Sequence, residues 1–246
     1  MKIIALSDMH YKFCPANDAE RQVNAYGHSF LSSLVGKIDI LVLNGDIFDL
    51  WFDWEYAIIP QYFPILKVLA EIHEAGARII YISGNHDFWF GCFLSQYLGI
   101  ELYSDSYELK ADGKRLYLTH GDLYTVNDMR YKLFRYLIRL PQMRALFSLL
   151  HPNLALRLGA LLSRSSRKRK DPTNLRARKV AGLKRHATAM IKNGYDIVIM
   201  GHSHEPELCQ MGSGFYANCG DWIRHQSYLQ ITDGIPVLSK FEPVPK

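Results

Sequence analysis

Five short clusters of carboxylate, imidazole and amide side chains recur along the chain, each directly after a short apolar stretch. They are Asp8-Met9-His10, Gly45-Asp46, Gly84-Asn85-His86-Asp87, His120-Gly121-Asp122 and Gly201-His202-Ser203-His204. Carboxylate, imidazole and amide ligands without thiolate favour manganese, zinc, iron or magnesium. Two such ions that share one carboxylate would generate a hydroxide between them, and that hydroxide can attack a phosphate ester. The clusters therefore predict a phosphoesterase that uses two metal ions.

Each cluster has a simpler explanation when it is taken alone. An Asp-x-His sequence after a strand often serves as a cap or a hydrogen-bonded pair, and Gly-Asp is common in turns. Five such clusters in order, each after a strand, are hard to explain by structure alone. Cysteine offers no competing metal site, because the four cysteines show no C-x-x-C spacing. They are Cys14, Cys92, Cys209 and Cys219.

The hydrophobic pattern predicts the elements that position these clusters. Short apolar runs predict strands at residues 3–6, 40–43, 79–82 and 116–118. Apolar residues at helical spacing predict a helix at about 62–75, between the second and third strands. Strands that alternate with helices favour an α/β fold with a partly parallel sheet. Ligands of such sheets collect beyond the carboxyl ends of the strands, so we expect the five clusters to converge.

A long helical segment interrupts this alternation. The pattern is almost purely helical from 124 to about 191, and strand signals resume at 197–200. We predict a single domain over 1–246 with a helical insertion at about 123–192. Residues 122–185 contain sixteen Lys or Arg and three Asp, a charge of +13 in a chain whose net charge is +5. This asymmetry favours an anionic partner such as phosphate, nucleic acid or a membrane surface over a merely solvated helical face.

The remaining composition bounds the class of protein. With 48% hydrophobic residues the chain can bury a substantial core, which argues against intrinsic disorder. Its apolar runs have strand length, whereas a bilayer span needs about 20 residues. The apolar N-terminal stretch is also too short for a signal-peptide core. We expect a cytoplasmic protein, with peripheral association at the inner face of the cytoplasmic membrane.

The ordered clusters resemble those of the calcineurin-like metallophosphoesterases, over roughly residues 1–122 and 196–225. The resemblance implies a four-layer αββα sandwich with two metal ions, most simply manganese, at its rim. It implies a first metal held by Asp8, His10, Asp46 and His204, and a second held by Asp46, Asn85, His120 and His202. It also implies that His86, beside Asn85, contacts the phosphate or protonates the leaving group, and that Asp87 orients His86.

Two aromatic stretches narrow the resemblance. Residues 46–54 and 85–89 are similar to the bacterial UDP-2,3-diacylglucosamine pyrophosphatases of lipid A synthesis. In that family, the helical insertion after the His-Gly-Asp cluster forms a lid over the acylated sugar. The resemblance implies hydrolysis of the diphosphate at the α-phosphorus, which releases UMP and 2,3-diacylglucosamine 1-phosphate. One departure is His86, because the residue after the metal-binding asparagine is arginine in that family.

Substrate contacts are expected from the aromatic stretch and from the lid. The predicted residues are Trp51, Arg164, Ser166, Arg167 and Lys170, the last four by charge and position alone. Leucines and aromatic residues beside arginines and lysines suit a nucleotide-activated glycolipid, and also an anionic membrane surface. Alternatively, the aromatic side chains simply pack the sheet against the insertion.

Three other functions compete with this reading. The first is hydrolysis of another nucleotide or phosphodiester that needs no acyl chains. The second is nucleic-acid binding by the basic insertion, but it lacks a DNA- or RNA-reading signature, so we expect no nucleic-acid partner. The third is a metal-free scaffold, which the complete set of seven ligand positions disfavours. The sequence carries no signal for an oligomeric state.

Overall fold

Strands and helices alternate through the first half of the chain and helices dominate its middle. The computed structural model describes residues 1–125, 129–168 and 173–242. The strands are β1 (Lys2–Leu6), β2 (Ile40–Asn44), β3 (Arg78–Ile82), β4 (Glu101–Tyr103), β5 (Ser106–Ala111), β6 (Lys114–Thr119), β7 (Ile197–Met200), β8 (Glu207–Met211), β9 (Gly214–Asn218), β10 (Ser227–Thr232) and β11 (Ile235–Lys240). The helices are α1 (Asp18–Leu34), α2 (Phe63–Glu74), α3 (Phe93–Leu98), α4 (Met129–Ile138), α5 (Pro141–Ser148), α6 (Pro152–Lys168) and α7 (Thr173–Lys192), with 3₁₀ turns at Pro60–Tyr62 and Asp122–Tyr124.

The strands form two sheets whose central members are parallel. The first sheet has the order β11-β10-β1-β2-β3-β4, and the second has the order β5-β6-β7-β9-β8. Strands β1, β2 and β3 are mutually parallel, and so are β6, β7 and β9. All five polar clusters follow one of these parallel strands. Their side chains therefore meet at one edge of the paired sheets, as expected for ligand loops in α/β proteins.

Three apolar clusters separate four layers. The first cluster packs α1 and α2 on the outer face of the first sheet. It includes Phe30 and Leu31 of α1 and Leu69 of α2. The second lies between the sheets and contains residues from both. The third packs Leu183 and Ala187 of α7 on the outer face of the second sheet. The predicted four-layer αββα fold is confirmed, and each fully buried leucine or phenylalanine of these clusters contributes about 1.5–3 kcal/mol to its stability.

The segment between β6 and β7 divides into two parts. Helix α7 is a layer of the sandwich, whereas α4, α5 and the described part of α6 carry large apolar side chains that remain exposed. Examples are Leu133 at 60%, Leu146 at 59% and Leu161 at 65% exposure. Within the described residues, no helix combines the length and the apolar character that a membrane crossing requires.

Candidate metal centre

The loops after β1, β2 and β7 hold their polar residues in an unusual backbone conformation. Asp8, His10, Asp46, His202 and His204 have φ between 48° and 65°, the left-handed region. These are five of the eight described non-glycine residues with positive φ. Such a conformation costs of order 1–3 kcal/mol at each position and persists where the surrounding structure enforces it. Strain concentrated on chemically capable side chains indicates a functional site.

Four side chains of the predicted first metal set lie together. The Nε2 atom of His204 is 3.2 Å from Oδ1 of Asp8, and Nε2 of His10 is 3.8 Å from Oδ2 of Asp46. The ligand atoms of Asp8, His10 and His204 all lie within 4.8 Å of one another. This spacing suits nitrogen and oxygen atoms that point toward a common centre.

The predicted second set converges on the Asn85 amide. Its Oδ1 atom lies 3.2 Å from Nε2 of His120 and 3.0 Å from Nδ1 of His202. Oδ2 of Asp46 lies 3.7 Å from the same His120 nitrogen. One carboxylate oxygen therefore stands between His10 and His120, at the position that a bridging ligand would occupy.

The buried carboxylates provide the test of whether this donor set suits a cation. Asp8 and Asp46 are 0% and 2% exposed, and among the described residues neither forms an ion pair with lysine or arginine. Two buried carboxylates whose charged neighbours are imidazoles alone are costly unless further positive charge compensates them. The hard oxygens and imidazole nitrogens match divalent manganese, zinc, iron or magnesium. The residues present therefore fit a divalent metal centre.

Outer hydrogen bonds set the direction of the imidazoles. The Nδ1 atom of His120 lies 3.0 Å from the carbonyl oxygen of Asn44, so that nitrogen donates and Nε2 faces the site. Nδ1 of His204 lies 3.2 Å from Oδ2 of Asp221, which turns its Nε2 toward Asp8. Such partners fix the tautomer and strengthen a metal ligand. Sequence analysis missed Asp221, although Gly220-Asp221 repeats the glycine–aspartate pattern of Gly45-Asp46 after a strand.

The charge states of the imidazoles differ across the site. Burial opposes protonation of His204, but the carboxylates of Asp8 and Asp221 outweigh burial and raise the pKa of His204 to about 10. Burial and the neighbouring His120 lower the pKa of His202 to about 3. The His204–Asp8 pair thus carries a proton that a metal would displace, whereas His202 is already in the neutral, ligating form.

Glycine permits the close contact between two ligand loops. A Cβ atom at Gly84 would overlap Oδ1 and the backbone nitrogen of Asp46. A Cβ atom at Gly201 would lie 2.6 Å from Oδ2 of Asp8. Any larger residue would separate the loops, so these glycines are required for the ligand side chains to meet.

His86 and Asp87 have different partners from those expected. Nδ1 of His86 lies 3.1 Å from the carbonyl oxygen of Asp49, which can only accept, so Nδ1 carries the proton and Nε2 is left for a ligand. The fully buried Asp87 carboxylate accepts hydrogen bonds from the backbone N–H groups of residues 46, 47, 48 and 84 and from the Tyr81 hydroxyl. The expectation that Asp87 orients His86 is corrected: Asp87 orders the loop that carries Asp46.

Trp51 lies in the hydrophobic core rather than at a substrate surface. Its side chain is 2% exposed, and it packs against Phe48, Tyr62 and Phe93. The predicted substrate contact at Trp51 is therefore corrected, because burial leaves its ring no surface to offer. The side chains of Arg164, Ser166 and Arg167 and the whole of Lys170 lie outside the described residues.

The other aromatic residues of the same stretch hold the insertion. Phe147 of α5 packs against Phe52, Trp54 and Trp89, with ring centroids 4.9, 6.4 and 4.7 Å away. These contacts agree with the alternative stated above, in which the aromatic side chains pack the sheet against the insertion. Between this cluster and the N-terminus of α6 lies a cleft of about 750 Å³, lined by Trp54, Ala145 and other residues.

Sequence comparison identifies relatives along nearly the whole chain. The family model for "Calcineurin-like phosphoesterase" matches residues 1–206. A UDP-2,3-diacylglucosamine hydrolase of Pseudomonas syringae pv. syringae is 28% identical over 255 residues, covering 99% of this chain and 97% of that protein. A UDP-2,3-diacylglucosamine hydrolase of Ralstonia nicotianae is 31% identical over 225 residues, covering 84% and 82%. The predicted resemblance is confirmed.

Comparison of folds agrees with the sequence. An archaeal phosphodiesterase superimposes with a TM-score of 0.50 at 15% identity, covering 97% of this chain and 99% of the other. At that identity the likeness concerns the fold alone.

Proposed function

The chain belongs to the calcineurin-like phosphoesterase family and is a hydrolase, and on that premise we propose that it cleaves the diphosphate of UDP-2,3-diacylglucosamine. The products are UMP and 2,3-diacylglucosamine 1-phosphate. The observation that carries the proposal is the Asp46 carboxylate oxygen, 3.8 Å from Nε2 of His10 and 3.7 Å from Nε2 of His120. The names of the Pseudomonas and Ralstonia relatives supply the substrate.

The proposed centre holds two divalent ions, most simply manganese. Asp8, His10, Asp46 and His204 would hold the first, and Asp46, Asn85, His120 and His202 the second. When bound, such ions neutralise phosphate charge and activate water as the nucleophile at the α-phosphorus. The protein supplies fixed, buried ligands whose direction is set by Asn44 and Asp221.

His86 is proposed to contact the reacting diphosphate together with Asn85. Its Nδ1 proton is held by the Asp49 carbonyl, so only Nε2 is available to the substrate. The ring centroid of His86 lies 4.9 Å from that of His10, which places it beside the first ligand set. From there it can stabilise a phosphate oxygen or protonate the leaving group. Asp87 acts indirectly, through the backbone of the Asp46 loop.

The insertion suits the rest of this substrate. We treat 1–246 as a single domain with the insertion at about 123–192. Residues 129–168 contain nine Lys or Arg and no Asp or Glu, while their described helices expose large apolar side chains. Acyl chains need apolar surface, and the diphosphate needs cations nearby. Arg164, Ser166, Arg167 and Lys170 remain proposed contacts of the acylated sugar phosphate.

The same surface supports peripheral binding to the inner face of the cytoplasmic membrane. A surface of this kind can bind a membrane, because its apolar side chains enter the lipid and its cations attract anionic headgroups. Each cation near the surface contributes roughly 1 kcal/mol. A diacylated substrate resides in that membrane. Attachment of the insertion would therefore bring the metal centre to its substrate.

The test is UMP release from UDP-2,3-diacylglucosamine by the manganese-loaded protein, with UDP-glucosamine alongside. Turnover of the acylated compound alone is the expected result. Equal turnover of both compounds would replace the lipid substrate with another nucleotide or phosphodiester. Absence of any metal-dependent phosphoesterase activity would overturn the proposed metal centre.

A further inference from the structure

One stripe of α4 faces the metal centre. Tyr131, Arg135 and Arg139 follow one another at intervals of four residues, and the last of them continues the helix through the bond from its N–H to the carbonyl of Arg135. Residues four apart lie on one side of a helix. Leu133 and Phe134 on the same helix are 60% and 58% exposed. The helix thus has a polar side toward the site and an apolar side toward the outside.

The guanidinium group of Arg139 binds the loop that carries Asn85. Its Nη2 donates to the carbonyl of Gly84 at 2.7 Å, and its Nη1 donates to the carbonyl of Ser104 at 3.1 Å. Nη1 also lies 3.2 Å from Oγ of Ser83, and the group stacks on Phe88 with 5.0 Å to the ring centroid. A planar guanidinium matches these several acceptors, whereas a lysine ammonium cannot reach them together.

The bound loop packs tightly against Asp46, the carboxylate proposed to bridge the two metals. A Cβ atom at Gly84 would overlap Asp46, and the Gly84 N–H donates to Asp87 at 2.8 Å. The next residue, Asn85, supplies the amide oxygen that faces His120 and His202. A shift of the Gly84 carbonyl would therefore move the Asn85 ligand.

The same stripe also holds the loop of His120. Oδ2 of the buried Asp122 accepts from the Tyr131 hydroxyl at 2.7 Å and from Nε of Arg135 at 2.6 Å. Asp122 lies two residues after His120. Helix α4 therefore contacts the loops of Asn85 and His120, and its Tyr131 ring lies 6.3 Å from the ring of His202, the remaining ligand proposed for the second metal alone.

We propose that Arg139 is a positioning residue for the second metal, which it serves by fixing the Gly84–Asn85 loop from the insertion. The inference rests on the proposed two-metal centre. It gives the insertion a role in assembling the site, separate from contact with acyl chains. Loss of outer hydrogen bonds to a metal site typically lowers metal affinity 10- to 100-fold.

Electrostatics alone predicts the opposite change in metal affinity when Arg139 is replaced. Arg139 is a cation near a cation site, so replacing it by a neutral residue would strengthen metal binding if charge were its only effect. Positioning predicts weaker binding at one site. Arg139→Lys separates the effect of charge from the effect of positioning, because it retains the charge but loses the planar group that spans the acceptors.

The experiment is manganese titration of the metal-free full-length protein by calorimetry, with the paramagnetic resonance signal of paired ions as a second readout. Arg139→Gln should weaken one of the two sites about tenfold or more and reduce the paired-ion signal. Arg139→Lys should do the same to a smaller extent. The matched control is Arg144→Gln. The backbone N–H of Arg144 donates to the carbonyl of Leu140, but within the described residues its guanidinium group makes no hydrogen bond or ion pair. This control should bind both ions as tightly as the wild type.

Circular dichroism and thermal unfolding of the metal-free variants verify that they are folded, and Arg139→Lys keeps the test available if Arg139→Gln is not. Unchanged or tighter binding of both ions by folded Arg139→Gln and Arg139→Lys would overturn the inference and leave the proposed function intact. A wild-type protein that binds fewer than two ions would overturn both.

Discussion

The rim of the sheets, where the five polar clusters meet, and the helical insertion differ in how far their side chains are buried. At the rim, the proposed ligand side chains are buried or half-buried, five of the seven have left-handed backbone conformations, and glycines allow their loops to approach closely. In the insertion, the outer apolar side chains remain exposed over much of their surface. The contacts that hold the rim are made within the chain itself. The outer side of the insertion is the surface that we propose meets acyl chains or a membrane.

Exposure quantifies the difference. Eleven of the nineteen exposed large hydrophobic residues in the described chain lie between Met129 and Leu161. An apolar surface of this kind usually marks an interaction site. A rigid centre performs the same chemistry on many phosphate esters, so an adaptable apolar surface is the better candidate for selecting among them.

The most severe test of the rim is Asp46→Asn. Metal ions supply several kcal/mol of transition-state stabilisation and about 1.4 kcal/mol is tenfold in rate, so activity should fall about a thousandfold. Phosphodiester hydrolysis at saturating manganese measures this. Asp233→Asn is the matched control, since Asp233 has φ of 52° but lies in an exposed turn. Retention of activity within tenfold would remove Asp46 as bridging ligand.

The second prediction concerns the proton of the His204–Asp8 pair. The pKa of His204 is raised to about 10, so below that pH a metal must displace the proton. Manganese affinity should therefore rise with pH, by about a hundredfold from pH 6 to pH 8. Titration calorimetry in two buffers of different ionisation enthalpy measures both the affinity and the released proton. Affinity that is independent of pH would contradict this charge state.

The third prediction asks whether the two regions unfold together. Phe147→Ala removes the ring that packs on Phe52 and Trp89 and should destabilise the insertion by about 2 kcal/mol, below the value for a fully buried ring. Hydrogen exchange should accelerate in α5 and α6 but not in β1–β3. Leu146→Ala, at a side chain that is 59% exposed, should change little. Equal acceleration in the sheets would mean that both regions form one cooperative unit.

The smallest effect is expected on the exposed side of α4. Leu133→Gln combined with Leu137→Gln removes about 0.7 kcal/mol of apolar contact at each position, together about tenfold in kcat/KM for the acylated substrate in vesicles. A water-soluble phosphodiester serves as the reference substrate. Ile235→Gln with Val237→Gln is the matched pair, 66% and 51% exposed on β11. An equal effect of the two pairs would indicate nonspecific loss.

The predicted strands were confirmed because buried parallel strands read as continuous apolar runs. The predicted strand at 197–200 is β7, and that at 40–43 is β2 with one more residue. Helix α1 was not predicted, since its apolar stripe is sparse and Gly27 interrupts it. The structure explains the glycine: a Cβ atom there would lie 2.8 Å from the sulfur of Met9.

The ligand clusters could be found in sequence because each is short and follows a strand. Contacts between distant segments could not, and these include the bonds from Asp221 to His204 and from Arg139 to Gly84. The same limit explains Trp51, since an aromatic run does not reveal which ring is buried. The basic charge of the insertion was only partly available to a partner, because Arg135 is bound to Asp105 and Asp122.

The left-handed ligand residues set stability against activity in this protein. Glycine tolerates φ near 50° better than aspartate or histidine does, so replacing a proposed ligand such as His202 or His204 by glycine would relieve about 1 kcal/mol or more of strain. Variants selected only for resistance to heat in the metal-free state should therefore accumulate substitutions at these positions and lose turnover. A search for a more durable enzyme must be conducted with the metal present, where the same residues become stabilising.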